Sequence, residues 1–268
     1  EMYGNEKEVG DAIRSSSLQR DEVFVTSKLN NCFQSRDEIL GAFDRSMKDL
    51  DIGHLDLFLI HWPLPTVRDY VAAWKVMQEL HDTGQVRSIG VSNFQQAHLE
   101  KLFAETGTVP SVNQIEVHPY LVQAELRAFG TEHGIATEAW SPIAQGVLTG
   151  KYLPGQAPPE GSRATDVNGG DKMISRWLRD DVLEKVQLLT PLAQEAGLSL
   201  AQLAVAWVLA NPNVSSAIVG ASRPEQVRDN AAAAGKKLDA DLLAKIDEVL
   251  DGVVTSDPAL TESPAQRP

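Results

Sequence analysis

Three side chains in the first quarter of the chain have the types needed for acid-assisted reduction of a carbonyl group. They are Tyr3, Lys28 and His61. A tyrosine, with a reference pKa of about 10, is a weak acid at neutral pH, and a neighbouring ammonium group makes its phenolate easier to form. A neutral histidine can hydrogen-bond a substrate carbonyl and orient it while a cofactor delivers hydride. Together the three residues suit the conversion of an aldehyde or ketone to an alcohol.

Each of these residues also has a structural interpretation when it is taken alone. Tyr3 could be a terminal aromatic packed on the helix that follows it. Lys28 could extend from the rim of a sheet into solvent, and His61 could be a hydrogen-bonded histidine of the core or rim. These alternatives stay open for the single residues, and only the combination favours catalysis.

Short apolar segments alternate with amphipathic helical segments along most of the chain. The candidate strands are EVFVTSK, LDLFLIHW, RSIGVSN, SVNQIEVHP, IATEAWSP and SSAIVGAS. Pairs of residues with capping-box spacing predict where three of the helices begin. These pairs are Ser35 with Glu38, Ser199 with Gln202, and Ser222 with Glu225. Nearly continuous apolar strands separated by helices predict a parallel sheet covered by helices.

The segments that follow the strands distinguish a barrel from an open sheet. No G-x-G-x-x-G turn of a dinucleotide-binding open sheet occurs in the sequence. Polar residues instead recur at the ends of successive strands: Lys28, His61, Ser92, Asn93, Gln114, Glu116, Ser141 and Ser222. A (β/α)8 barrel keeps its active site at the C-terminal ends of its strands. The sequence therefore predicts an α/β fold of the (β/α)8 TIM-barrel type, here with about six βα units and two missing or unrecognised.

Composition excludes several functional classes. The 268 residues carry a formal net charge of −13, which argues against a nucleic-acid or anionic-membrane surface. The single cysteine, Cys32, forms no internal disulfide and fits a reducing compartment. No apolar run approaches the roughly 18 residues of a spanning helix. We expect a cytoplasmic monomer or weak oligomer without metal, with one domain over residues 1–254 and a loosely ordered Pro- and Ser-rich tail over 255–268.

Six segments in order resemble the aldo-keto reductase superfamily, and the resemblance runs from residue 1 to about residue 250. They are YGNEKEVG, VTSK, LDLFLIHWP, GVSNF, NQIEVHP and AWSPIAQG. The resemblance implies a (β/α)8 barrel with NADPH across its C-terminal face. It also implies that Tyr3 is the general acid, Lys28 the cation that lowers its pKa, and His61 the group that orients the carbonyl. Trp62 would form an apolar wall of the substrate pocket.

One residue of the family pattern has no counterpart. The resemblance implies an aspartate a few residues before the tyrosine, but only Glu1 and Met2 precede Tyr3. By the family pattern Glu1 is too close to Tyr3 to replace it. We therefore expect the chain to lack the first two barrel strands and the aspartate, and to have little reductase activity.

Cofactor residues are also implied by the resemblance. Ser92, Asn93 and Gln114 would hold the nicotinamide carboxamide, and Trp140 would stack on the nicotinamide ring. The alternatives are a helix N-cap for Ser92 and Asn93 and a core aromatic for Trp140.

The two halves of the chain resemble different branches of the family. The first half is closer to the reductases of keto-sugar acids and simple aldehydes. From Gln145 onward, GVLTGKY, GSRA and IVGASRPEQVRDN resemble the potassium-channel β subunits and their bacterial relatives. That likeness implies pyrophosphate contacts from Ser141, Pro142, Ile143, Ala144 and Gln145, closed over by Lys151 and Arg163. It implies adenosine contacts from Gly220, Ser222, Arg223, Gln226 and Asn230.

The helix after Ser222 has anion-binding character without reference to any family. Pro224 in the first turn leaves free backbone N–H groups at the helix N-terminus, and Arg223 lies beside them. A 2′-phosphate suits such a site, which favours NADP over NAD. The alternative is an ordinary helix cap with a solvated arginine.

The sequence supports three hypotheses about function. The first is an NADPH-dependent reductase of a small-molecule carbonyl substrate. The second is a non-catalytic, NADP-binding regulatory or scaffold protein, as the channel likeness allows, and the third is an inactive fragment. Retention of Tyr3, Lys28 and His61 favours the first, because a scaffold has no need of that trio.

Overall fold

The computed structural model describes residues 3–263, which contain six β-strands. These are β1 (Thr26–Leu29), β2 (Leu55–Ile60), β3 (Val86–Ser92), β4 (Val112–Glu116), β5 (Ala136–Trp140) and β6 (Val214–Ile218). The helices are α1 (Glu6–Ser15), α2 (Arg36–Leu50), α3 (Tyr70–Asp82), α4 (Gln96–Thr106), α5 (Ala124–His133), α6 (Gly170–Ile174), α7 (Asp180–Glu195), α8 (Leu200–Leu209), α9 (Pro224–Ala231) and α10 (Ala240–Leu250). All six strands that the sequence predicts are present, and the strand–helix alternation is confirmed.

The chain forms two compact units. The first comprises Glu1–Ile115, Ala128–Ala136 and Pro258–Pro268, and the second comprises Glu116–Arg127 and Thr137–Asp257. The N-terminal catalytic candidates belong to the first unit, and the residues expected around the pyrophosphate and adenosine belong to the second.

In the first unit, β1 to β4 pair in parallel in chain order. Lys28 pairs with Leu59, Leu59 with Gly90, and Ser92 with Gln114. Paired residues point to one side of a sheet, and so do residues two apart on a strand. The register therefore puts Lys28, Ser92 and Gln114 on the same face, and His61, two residues beyond Leu59, continues that face past the end of β2.

Helix α1 is held closely against the end of α2. A Cβ added at Gly10 would lie 2.0 Å from the Leu50 carbonyl oxygen, so only glycine fits there. Arg14, one turn later, donates to the carbonyls of Leu50 and Asp51 at 2.5 and 3.0 Å. It thereby satisfies carbonyl groups at the C-terminal end of α2.

In the second unit, β5 and β6 pair in parallel, with Trp140 opposite Ile218. The predicted capping boxes are confirmed for α2 (Ser35 and Glu38) and for α8 (Ser199 and Gln202). The third predicted box, Ser222 with Glu225, is wrong. Helix α9 begins at Pro224, so its N-cap is Arg223, and the third helical residue is Gln226.

The C-terminal segment has specific contacts over its described part. In the first unit, Gln95 Nε2 donates to the Thr261 carbonyl at 2.9 Å, and the Leu64 N–H donates to Ser263 Oγ at 3.1 Å. The last five residues of the expected tail, 264–268, lie outside the described residues, as does Glu1. Among the described helices, no single one is long and apolar enough to cross a membrane, and α7 with α8 meets that test only as a pair bent by 83°.

Candidate active site

Four residues expected at the site are joined by hydrogen bonds at the ends of β2, β3 and β4. Ser92 Oγ and the Asn93 N–H both donate to the Gln114 carbonyl, each at 2.9 Å. Asn93 Nδ2 donates to the His61 carbonyl at 3.1 Å and to Ser92 Oγ at 3.0 Å. The structure thus brings His61, Ser92, Asn93 and Gln114 into one polar cluster, which we call the strand-end cluster.

Asn93 owes its place in this cluster to an unusual backbone conformation. Its φ is 62°, in the left-handed region that non-glycine residues rarely occupy. Such strain persists where the surrounding structure fixes the residue, and it concentrates at functional sites. The N-cap of α4 is Gln95, so the alternative that Ser92 and Asn93 cap this helix is wrong.

Lys28 and His61 lie on neighbouring chain segments. Lys28 is partly buried near the end of β1. The carbonyl of Leu29, the residue that follows Lys28, accepts from the His61 N–H at 3.4 Å. Trp62 follows His61 and is buried. Among residues 3–263, no group of three His, Cys, Asp or Glu side chains is placed to hold a metal ion.

Tyr3 precedes α1 and is 76% exposed. It is therefore not packed as a buried aromatic on the helix that follows. The start of α1 is tied to β1, because Ser27 Oγ donates to the Glu6 carboxylate at 2.6 Å. Tyr3 lies in the turn just before Glu6, and Ser27 is the residue just before Lys28. The bond therefore links the chain next to Tyr3 with the chain next to Lys28.

In the second unit, the residues after β5 form a tight, irregular segment. Trp140 is partly buried, so the core interpretation of this aromatic does not hold. Ser141, Ala144 and Gln145 all have positive φ, at 54°, 47° and 58°. The Gln145 side-chain amide donates to Ser141 Oγ, and the Ala144 N–H donates to the Ser141 carbonyl at 2.8 Å. Pro142 and Ile143 lie inside this turn, which is held by its own hydrogen bonds.

The two cations expected over the pyrophosphate lie in separate surroundings within this unit. Lys151 is exposed, and its Nζ lies 5.1 Å from the centroid of the Tyr152 ring. Arg163 is exposed in a short 3-10 turn, and its guanidinium contacts the Met173 sulfur at 3.3 Å. Neither is engaged in an ion pair with another described residue.

The N-terminus of α9 borders a shallow, widely open cleft of about 480 Å³. Ser222, Arg223 and Arg228 contribute its polar lining. Gln226 accepts from both the N–H and the hydroxyl of Ser222, at 2.8 and 3.1 Å, and so fixes the turn before the helix. Gly220 is exposed before this turn, and Asn230 is buried near the end of α9.

Sequence reasoning missed Arg228, the second cation of this cleft. It lies four residues after Pro224, which is one turn along α9 on the same side as the helix start. That spacing was the available signal.

A buried ionic group around Glu116 was also missed as a unit. Glu116 forms an ion pair with Arg176, and its other oxygen lies 3.4 Å from Nε2 of His118, which is fully buried. Burial lowers the pKa of His118, against the opposing effect of Glu116. Arg176 follows the long loop after β5, so no sequence spacing links it to Glu116. The group joins that loop to the segment after β4 within the second unit.

The aldo/keto reductase family matches residues 1–251. The chain belongs to the aldo/keto reductase family. Its fold class is confirmed by a crystal structure of a Gox0644 variant in complex with NADPH, with a TM-score of 0.72 and 33% identity. That match covers 96% of this chain and 81% of the other.

Curated relatives match the chain over part of its length. Methylglyoxal reductase DkgA of Salmonella typhimurium is 49% identical over 144 residues, which are 54% of this chain and 52% of that protein. 2,5-Diketo-D-gluconic acid reductase B of Corynebacterium is 45% identical over 177 residues, 65% of this chain and 62% of that protein. The chain thus spans about half to three-fifths of the length of these relatives. The likeness to channel β subunits stays a prediction.

Proposed function

We propose that this aldo/keto reductase is an NADP-dependent oxidoreductase that reduces a small aldehyde or ketone to the alcohol. The observation that carries the proposal is the strand-end cluster, in which the side chains of Ser92 and Asn93 are fixed by hydrogen bonds to each other and to the backbone carbonyls of Gln114 and His61. A carboxamide needs both donors and acceptors in fixed positions, and Asn, Gln and Ser side chains provide both. Their fixed geometry supports the orientation of a nicotinamide.

In the second unit, the residues at α9 fit a ligand that carries a phosphate group. A cleft with two arginines beside the N-terminus of a helix favours a phosphate ester over a neutral hydroxyl. Arg223 and Arg228 would hold the 2′-phosphate of NADP, and Gln226 would keep the Ser222 turn in place. The turn from Ser141 to Gln145, with Lys151 and Arg163, would contact the pyrophosphate.

Bound NADPH would supply the hydride, and the chain's own residues would manage the proton and the carbonyl. Tyr3 would give its phenolic proton to the developing alkoxide, and Lys28 would stabilise the phenolate left behind. His61 would donate a hydrogen bond to the carbonyl oxygen, and Trp62 would supply an apolar wall. The Glu6–Ser27 bond supports this arrangement, because it ties the start of α1 to the residue next to Lys28.

The names of two relatives support the same class of reaction, since one is a methylglyoxal reductase and the other a diketogluconic acid reductase. Methylglyoxal is therefore the first substrate to test. We expect little NADPH oxidation by residues 1–268 alone. In a protein that also supplies the aspartate of the family pattern, we expect methylglyoxal to drive NADPH oxidation and His61→Ala to abolish it while NADPH still binds, as measured by calorimetry.

Two other results would decide against this function. Tight NADPH binding without turnover of methylglyoxal or 4-nitrobenzaldehyde would favour the regulatory or scaffold reading. Absence of both binding and turnover in the folded protein would favour the inactive fragment.

A further inference from the structure

Arg68 is a buried cation with no partner in the described chain. It lies in the first unit and is 5% exposed, and its three guanidinium nitrogens are buried without a hydrogen bond to any residue of the range 3–263. Burial lowers its pKa to about 10, so it stays charged at neutral pH. Buried arginines are almost always paired, because an uncompensated charge in the interior is strongly unfavourable.

The neighbouring carboxylate does not serve Arg68. Asp69 is the N-cap of α3, and its side chain accepts from the N–H groups of Val71 and Ala72 at 3.0 and 3.1 Å. No described aspartate or glutamate lies within ion-pair distance of Arg68. An anion that pairs with this guanidinium must therefore come from outside residues 3–263.

The backbone around Arg68 is fixed by a strained turn. Leu64 is buried with a φ of 41°, which a branched side chain rarely adopts. Its carbonyl accepts from the N–H groups of Val67 and Arg68 at 2.9 and 3.0 Å. The loop that contains this turn starts at His61 and ends at Asp69, so one short segment carries both the carbonyl-orienting histidine and the unpaired arginine.

We propose that Arg68 binds the carboxylate group of an oxo-acid whose carbonyl group is reduced at His61. This assignment rests on the proposed reductase function and names the class of its substrate. A guanidinium forms two parallel hydrogen bonds with a carboxylate, which supplies both the missing charge and the missing acceptors. In this proposal the acid group is held by Arg68 while His61, at the start of the same loop, takes the carbonyl group.

Access to Arg68 requires local opening, because its nitrogens are withdrawn from solvent. The C-terminal segment is attached at the same turn, since Leu64 accepts the Arg68 N–H and donates its own N–H to Ser263 Oγ. Gln95 Nε2 contacts the same segment, donating to the Thr261 carbonyl at 2.9 Å. Local opening at the Leu64 turn would admit a carboxylate to the guanidinium.

A pair of substrates that differ in the acid group tests the assignment. The variant Arg68→Met keeps the length and apolar stem of the side chain and removes its charge. We expect its kcat/KM for succinic semialdehyde to fall about tenfold or more, and that for butanal to change less than about twofold. Arg68→Lys should recover part of the loss, because an ammonium keeps the charge but not the paired geometry. Arg36→Met, at an exposed arginine of the same unit, is the control.

A second measurement does not depend on turnover. The Tm of the wild-type protein should be higher in sodium succinate than in sodium chloride of equal ionic strength, and Arg68→Met should lose this difference. In chloride, Arg68→Met should be at least as stable as the wild type, because it removes an uncompensated buried charge.

Three results would overturn the proposal. An equal loss of kcat/KM for both aldehydes would make Arg68 a structural residue, as would a large fall in the Tm of Arg68→Met in chloride. Stabilisation by succinate through Arg68 without any change in substrate preference would assign the site to a free carboxylate. If the wild type reduces neither aldehyde, the proposed function fails, and the Tm comparison still reports whether Arg68 binds a carboxylate.

Discussion

At the scale of single residues, Asn93 links the ends of β2, β3 and β4 in the strand-end cluster. Its side chain joins β3 to the residue after β2, and its N–H joins β3 to β4. Both contacts depend on the left-handed backbone, which asparagine tolerates better than most residues.

Paired substitutions at Asn93 separate its side chain from its backbone. Asn93→Gly removes the amide and keeps the conformation, whereas Asn93→Ala removes the amide and adds strain at φ 62°. We expect both to weaken NADPH binding about tenfold, and Asn93→Ala to be less stable than Asn93→Gly by about 1 kcal/mol. Calorimetric titration and denaturant unfolding measure the two effects. Equal free energies of unfolding for the two variants would show that the left-handed conformation at position 93 does not strain an alanine.

Tyr3 is tested by removal of one oxygen. We expect Tyr3→Phe to lower kcat about 100-fold or more, because the proton donor is lost, and to leave quenching of tryptophan fluorescence by NADPH unchanged. Its exposure argues that no packing is lost. Weaker NADPH binding in Tyr3→Phe would indicate a positioning role instead.

The sequence predicted where four polar residues lie relative to the strands, and their function stays a proposal. Lys28, His61, Ser92 and Gln114 follow apolar runs, and the register puts their positions on one face. Arg68 could not be recognised in this way, because the sequence does not state that an arginine lacks a partner. That property depends on every side chain that folds around it.

At the scale of elements, the contact of α1 with α2 determines the position of α1 and so of Tyr3, which precedes it. Gly10→Ala would place a methyl group on the Leu50 backbone, which cannot yield as a side chain can. We expect a loss of about 2 kcal/mol of unfolding free energy and a lower kcat, because α1 must move.

Gly41→Ala in α2 is the matched control for Gly10→Ala. Its new methyl group would meet only the Arg45 side chain, at 3.5 Å. Since alanine is the better helix former, this variant should be unchanged or more stable by up to about 1 kcal/mol. Denaturant unfolding of both variants gives the comparison, and an equal loss in the two would exclude the proposed clash.

Helix α9 should determine the choice between NADPH and NADH. We expect Arg223→Gln and Arg228→Gln each to raise the Kd for NADPH about tenfold and to change the Kd for NADH little, since only the former carries a 2′-phosphate. Arg179→Gln, at an exposed arginine paired with Asp181 in the same unit, should change neither. An equal rise of the Kd for NADPH and for NADH would show that the 2′-phosphate does not bind in this cleft.

At the scale of the molecule, the two ends of the strands in the first unit carry different kinds of polar group. Asp56, at the start of β2, is buried and accepts from the Val25 N–H, from Arg20 and from Arg87 at 2.8, 2.8 and 3.1 Å. The opposite ends carry the strand-end cluster. In barrels of this type, stability groups lie at the N-terminal ends and functional groups at the C-terminal ends.

The hydrogen bonds and ion pairs of Asp56 should make the stability of the protein depend on pH in the acid range. Burial raises the pKa of Asp56, but the Val25 N–H and Arg20 outweigh it and hold the pKa below its ordinary value of 3.8. A depressed carboxyl pKa contributes stability that is present above the unfolded value and is lost as the pH falls through the folded value. We expect the Tm to fall as the pH drops below about 4.

Asp56→Asn should lower the free energy of unfolding at neutral pH by about 2–3 kcal/mol and flatten this acid dependence. Asp37→Asn, at an exposed carboxylate in α2, is the control and should change little. Thermal unfolding across the acid range measures both. An unchanged acid slope in Asp56→Asn would assign the dependence to other carboxylates.

The sequence by itself determined the family, the six strands and the kinds of side chain at their ends, because apolar periodicity and local motifs are properties of neighbouring residues. It also located the starts of α2 and α8, whose caps depend on residues three apart. It misplaced the cap of α9. There the side chain of Gln226, and not that of Glu225, accepts the hydrogen bond from the Ser222 N–H, and Arg223 is the N-cap. Only the tertiary structure decided that Arg228 joins Arg223 in one cleft, that Arg176 meets Glu116, and that Arg68 is buried without a partner among residues 3–263. Those facts are set by distance in space and by exclusion of water, which no local pattern of residues records.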